Sequence, residues 1–253
     1  MSAGPSPPRF KSTPSGEPLN RPRFFYGWTI VGVTALISFG QVAFFNPVAG
    51  VFQPTLHEAF GWSRAEIAGA VTMGSLVGAL TAPFFGVALD RYGARWLVAA
   101  PALVIVVVLA LLAEVSELWQ FYLLFAIGRG LAMAAIGAAT VVAISNWFIR
   151  RRPFAIALST LGTRGGIAVL PLLVVAVIAA RGWPDGFRVL ALVVLLVAVA
   201  PPLLFLRRRP EDVGLRPDGD PVPPAEGERS ALGSRAEEDW TIREAVRTRA
   251  YWL

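Results

Sequence analysis

The sequence predicts an all-α membrane protein built as a bundle of six transmembrane helices, and three observations carry that expectation. Hydrophobic residues make up 55% of the 253, with a mean hydropathy of +0.58, far above an ordinary soluble domain. The apolar residues gather into six runs, at about 24–53, 64–89, 96–113, 118–148, 153–180 and 187–206. Each reaches or approaches the ~20 residues that cross ~30 Å of hydrocarbon as a helix. The charged residues, only 16% of the chain, cluster between the runs. A helix satisfies its own backbone groups in lipid, and no stretch reads as a strand.

Residues 1–23 are rich in Pro, Ser and Gly and carry Arg9, Lys11, Arg21 and Arg23. They lack the apolar centre of a signal peptide and read as a disordered basic cytoplasmic tail. The bundle occupies 24–206. Eighteen basic residues fall on the side shared by both termini, against Arg64, Arg181 and Arg188 on the other. The positive-inside rule then places both termini in the cytoplasm of a multi-pass protein of the plasma (inner) membrane. A net charge of +6 distributed in this way is a membrane-orientation signal, not a nucleic-acid footprint.

The second run opens with Ser63 and Glu66, spaced as a capping box, with Trp62 and Ile67 placed as its hydrophobic staple. Trp119, Tyr122, Trp147 and Trp183 fall where an interfacial aromatic belt would lie. Gly74 and Gly78, and Gly162 and Gly166, repeat at four-residue spacing, which permits close helix contact in lipid. Residues 207–239 lose hydrophobic periodicity and read as a poorly ordered cytoplasmic linker. From Trp240 to Leu253 an amphipathic helix leads into the start of a seventh apolar segment, which reads as truncated.

Between the second and third runs lies Gly86-Val-Ala-Leu-Asp90-Arg91-Tyr-Gly93-Ala-Arg95-Trp96, expected to be a short polar loop joining antiparallel helices. Its spacing of Gly86, Asp90, Arg91, Gly93 and Arg95 resembles the cytoplasmic loop motif of the major facilitator superfamily of secondary transporters; Trp96 departs from it. The resemblance implies the first six-helix half of a twelve-helix fold, with substrate held between two halves by alternating access. It also implies a gating role for the loop residues. This chain then reads as an incomplete first half that does not transport alone, needing a missing second half or a second copy.

A second stretch, Trp147-Phe148-Ile-Arg150-Arg151-Arg152 through Gly162 and Gly166, resembles the signature entering the fifth helix of the monocarboxylate transporter family. Ala157, Ser159 and Leu161 depart from it. A first-helix lysine found in some members has no counterpart, Asn46 being the nearest polar residue, while oxalate and formate exchangers remain compatible. The implied cargo is a small organic anion, such as a mono- or dicarboxylate, by proton coupling or exchange. A drug or metabolite exporter of other substrate class is the alternative, and a non-transporting receptor or assembly subunit a remoter one.

The acidic residues all lie in tails, loops or helix ends, whereas Arg129 and Arg164 sit deep in apolar runs. An arginine at mid-membrane costs at least ~2.5 kcal/mol unless it meets water, carbonyls or an anion. Arg129 and Arg164, with Asn46, are therefore the candidate substrate-binding residues, and guanidinium suits carboxylate through its two-pronged fork. The competing reading has these arginines tying helices together through carbonyls and hydroxyls such as Thr163 or Ser159. His57, the sole histidine, is expected as a solvated loop residue. An intramembrane serine protease would need a Gly-x-Ser deep in one helix and a histidine in another, which the sequence lacks. It has no cysteine and no His or carboxylate cluster, so neither a metal nor any cofactor is expected, and no enzyme activity.

Overall fold

In the computed structural model the described residues are 25–207, with Pro210, Leu215 and Asp218; for Asp90 and Tyr92 only the backbone is described. The tail 1–23 and the segment 240–253 lie outside these residues. Among the described residues there is no strand, and six helices are long and apolar enough to cross a membrane. They are α1 (Gly27–Phe60), α2 (Arg64–Tyr92), α3 (Ala94–Leu112), α4 (Leu118–Trp147), α5 (Arg152–Arg181) and α6 (Trp183–Phe205).

Several ends differ from the expected runs, and polar residues at helix termini are the reason. α1 continues to Phe60 instead of about 53, carrying Gln53, His57 and Glu58 on its last turns before Gly61 closes it at φ 72°. His57 is thus a helical residue, not a loop one; its Nδ1 lies 2.7 Å from the Trp62 carbonyl. α6 starts at Trp183, four residues early, because Asp185 and Arg188 satisfy each other in its first turns at 2.8 Å. Arg188 also pairs with Glu114 from the α3–α4 turn.

The expected loop between the second and third runs, about 90–95, is corrected most. Helix α2 runs through Asp90, Arg91 and Tyr92, and α3 starts at Ala94, so Gly93 alone connects them. Its φ of 77° and ψ of 162° suit only a residue without a Cβ. Gly182, at φ 92°, makes a similar one-residue joint between α5 and α6.

The Ser63–Glu66 capping box forms as the spacing predicts. Glu66 N–H donates to Ser63 Oγ at 3.2 Å, and Ser63 N–H donates to Glu66 Oε2 at 2.8 Å. Trp62 and Ile67 are both buried beside it. Glu117 and Gln120 cap α4 in the same reciprocal way.

Helices α1 and α4 form the most buried pair, while α2 and α5 leave most of their surface uncovered. The glycine pairs explain how these outer helices dock. A Cβ at Gly162 would lie 1.9 Å from the Ala35 carbonyl oxygen, and one at Gly166 2.8 Å from that of Phe39. On the other side, Gly74 sits against the Arg129 side chain and Gly78 against Gly130. Backbones come this close only where side chains are absent, which is how helices gain packing in lipid.

Candidate functional site

Proline 47 sets the site. Although α1 passes Pro54 unbroken, Pro47 has no N–H to give and its ring crowds the preceding turn, which disfavours regular helix there. The chain instead tightens into a 3₁₀ turn at Val42–Phe44 and turns extended at Phe45 (φ −86°, ψ 159°) before helix resumes at Asn46. The Val48 N–H bonds to Phe45 O at 3.1 Å, which leaves the Phe44 carbonyl without its regular donor.

Arg129 supplies that donor. Its Nη1 donates to Phe44 O at 2.5 Å and its Nε to Ser75 Oγ on α2 at 2.9 Å, with the side chain buried. Gly128 makes room beside it, since a Cβ there would meet the Phe44 ring at 2.1 Å. That ring lies edge-on to Phe125 at 5.2 Å.

A reciprocal bond runs the other way. Gln41, at the end of the first half of α1, donates Nε2–H to the Ala132 carbonyl of α4 at 2.6 Å. Ala132 opens a π-helical turn, Ala132–Ile136, in which the hydrogen-bond ladder widens by one residue. Such turns interrupt otherwise regular helices and recur at functional sites. Each helix thus offers a side chain to an irregular stretch of the other. A second π turn, Leu195–Val199, precedes Pro201 and Pro202 in α6 and touches Gly40 of α1.

The sequence candidates separate here. Asn46 begins the second half of α1 at the break and is exposed. Arg164 is exposed on α5, with no hydrogen bond or ion pair among the described residues. Arg129 makes the kind of tie the competing reading describes, through a carbonyl and a hydroxyl of neighbouring helices, but the groups are Phe44 O and Ser75 Oγ, not Ser159 or Thr163. The two arginines also lie at different levels along α1. Arg129 meets Phe44, whereas Gly162 and Gly166 around Arg164 meet Ala35 and Phe39, ~7–14 Å nearer its start at 1.5 Å per residue.

At the Gly93 end, Gly86 faces open space and Arg91 is exposed. Arg95 Nη2 donates to the Leu203 carbonyl at the end of α6, at 2.5 Å, and its Nε is buried without a partner. Trp147 is not an interfacial belt residue. It is fully buried with Phe148 among Phe25, Tyr26 and Trp28, and Nε1 donates to Arg207 O at 3.3 Å. Arg152 donates back to Phe148 O and Ser145 O, and Arg150 and Arg151 are exposed. Sequence reasoning missed Gln41, Ser75 and both π turns. The Asn46-Pro47 dipeptide was the available signal for the break.

Six spanning helices with a broken first helix, cross-braced at mid-depth by polar side chains, define a multi-pass membrane protein with a polar site inside its bundle. The family model of the Major Facilitator Superfamily matches residues 26–253, and the chain belongs to that family of transporters. It is 29% identical to monocarboxylate transporter 2 of Homo sapiens over 194 residues, 76% of this chain and 40% of that protein. It is 24% identical to monocarboxylate transporter 6 of Homo sapiens over 220 residues, 87% of this chain and 43% of that protein. The Fujikurins efflux protein of Gibberella fujikuroi matches at 26% over 113 residues, 45% of this chain and 24% of that protein. In each case the chain spans less than half of the relative's length.

Proposed function

We propose that this chain carries the first half of a secondary transporter for small organic anions, such as mono- or dicarboxylates, working by alternating access in the plasma membrane. Both termini are cytoplasmic in this reading. The six helices supply one wall of the substrate cavity, and a second bundle or a second copy of this chain supplies the other. The matched share of the monocarboxylate transporters, 40% and 43%, agrees with a half.

Charge is the observation that carries the substrate class. Arg129 and Arg164 lie well inside their spans, while the acidic residues of the bundle stay at helix ends. Arg129 spends Nε and Nη1 on Ser75 and Phe44, which fixes its plane and leaves Nη2 for a further acceptor. Arg164 is exposed on a largely uncovered helix, where a cation without an ion pair favours a wet cavity or an anion over lipid.

Substitution of each arginine by Lys and by Gln, with carboxylate binding measured directly on purified protein, tests the reading. A site arginine loses at least tenfold in affinity in both variants, because lysine keeps the charge but not the planar fork. Unchanged affinity with a lowered melting temperature assigns that arginine to packing. The similarity to an efflux protein supports a second reading, export of other metabolites. Under it neutral compounds compete as well as anions do, and neither arginine matters to their binding.

A further inference from the structure

Past the end of α6, the described residues Arg207, Pro210, Leu215 and Asp218 lie against the bundle. Arg207 O accepts from Trp147, Pro210 is buried, and Leu215 N–H donates to Pro210 O at 2.9 Å while its side chain packs on the core. Asp218 then reaches the turn between α4 and α5. Its Oδ2 accepts the backbone N–H of Ile149 at 3.0 Å and of Arg150 at 2.8 Å, and its Oδ1 accepts that of Arg151 at 3.3 Å.

Those three donors stand just before Arg152, the first residue of the 30-residue α5. The start of a helix carries unsatisfied N–H groups and the positive end of the macrodipole, so an acid is stabilising there. Helices α2 and α4 meet this need locally through their capping boxes. Helix α5 does not: Arg151, at its N-cap, makes no side-chain capping bond. Successive N–H groups converging on one carboxylate form an anion-holding nest, and its charge-assisted bonds are stronger than neutral ones. Asp218 itself sits at φ 59°, a left-handed conformation that aspartate tolerates better than most residues.

We propose that Asp218 is the missing cap of α5, supplied from 67–69 residues away. Its carboxylate ties Asp218 to the α4–α5 turn. Asp218 is consequently anchored at the start of α5, not at the end of α6. Any pull on Asp218 is delivered to the helix that docks along Ala35 and Phe39 of α1.

The experiment compares the full chain with its Asp218→Ala, Asp218→Asn and Asp218→Glu variants in lipid nanodiscs. Amide hydrogen exchange over Phe148–Arg152 and tryptic cleavage after Arg150 and Arg151 are the readouts, with the α3 peptide Leu97–Leu112 as internal control. Asp218→Ala should speed both readouts at least tenfold, Asn should fall between, and Glu should recover part of the protection, with the α3 peptide unchanged in all three. Exchange and cleavage equal to the parent in the Ala variant would overturn the proposal. Equal loosening of the turn and of α3, or failure of all three variants to fold, would also overturn it, by assigning Asp218 to general stability.

Discussion

At the scale of single residues, the tightest contacts lie where a hydrogen replaces a side chain. Gly162→Ala would drive a methyl to 1.9 Å from the Ala35 carbonyl, so α5 must move off α1. Overpacking of this kind costs about 1–3 kcal/mol, and the melting temperature in detergent should fall by several degrees. Gly32→Ala, on the same α1, meets nothing within 4 Å and should hold or raise it, because alanine is the better helix former by about 1 kcal/mol. The small-residue repeat behind this contrast was legible, since its spacing is set by helix geometry alone. The partners of Arg129 were not. One is a hydroxyl 54 residues away, and the other is a carbonyl that becomes an acceptor only because the backbone breaks at Phe45. Residue type announces a need for hydrogen bonds without saying which backbone group will be released to meet it.

At the scale of elements, the break in α1 trades a regular helix for a brace. Pro47→Ala restores a donor for the Ala43 carbonyl and lets Val48 compete for Phe44 O, which now belongs to Arg129. The expected outcome is an unchanged or higher melting temperature together with carboxylate binding weakened tenfold or more. A variant that binds as the parent does would separate the break from the site. Six helices and the α2 cap could be read from the sequence because hydropathy and capping are local signals. Residues 90–95 read as a loop because Asp90, Arg91 and Arg95 are charged, yet charged residues also suit the last and first turns of helices that end in water. With α2 and α3 already helical to Tyr92 and from Ala94, Gly93 is the only residue the turn needs.

At the scale of the whole molecule, the proposed orientation, with both termini cytoplasmic, rests on the distribution of the arginines. Because the chain has no cysteine, a single introduced thiol is the only one present. Cysteines at Ser2 and at Ser116 should react with a membrane-impermeant maleimide from opposite sides of the membrane. Labelling of both from one side would reverse the reading drawn from the arginine distribution.

The unequal lengths of the helices have a mechanical consequence for the lipid around them. α1 has 34 residues and α5 has 30, ~51 and ~45 Å of helix, far more than a bilayer needs. α3 has 19 residues, ~28 Å, and its joint to α2 is the single residue Gly93. The long helices absorb a change of thickness by leaning or projecting, but α3 has no slack to give. It is the ruler of the molecule. Unfolding temperature across phosphatidylcholines of increasing acyl length should therefore peak near a ~28 Å hydrocarbon core and drop on the thick side, where α3 alone falls short.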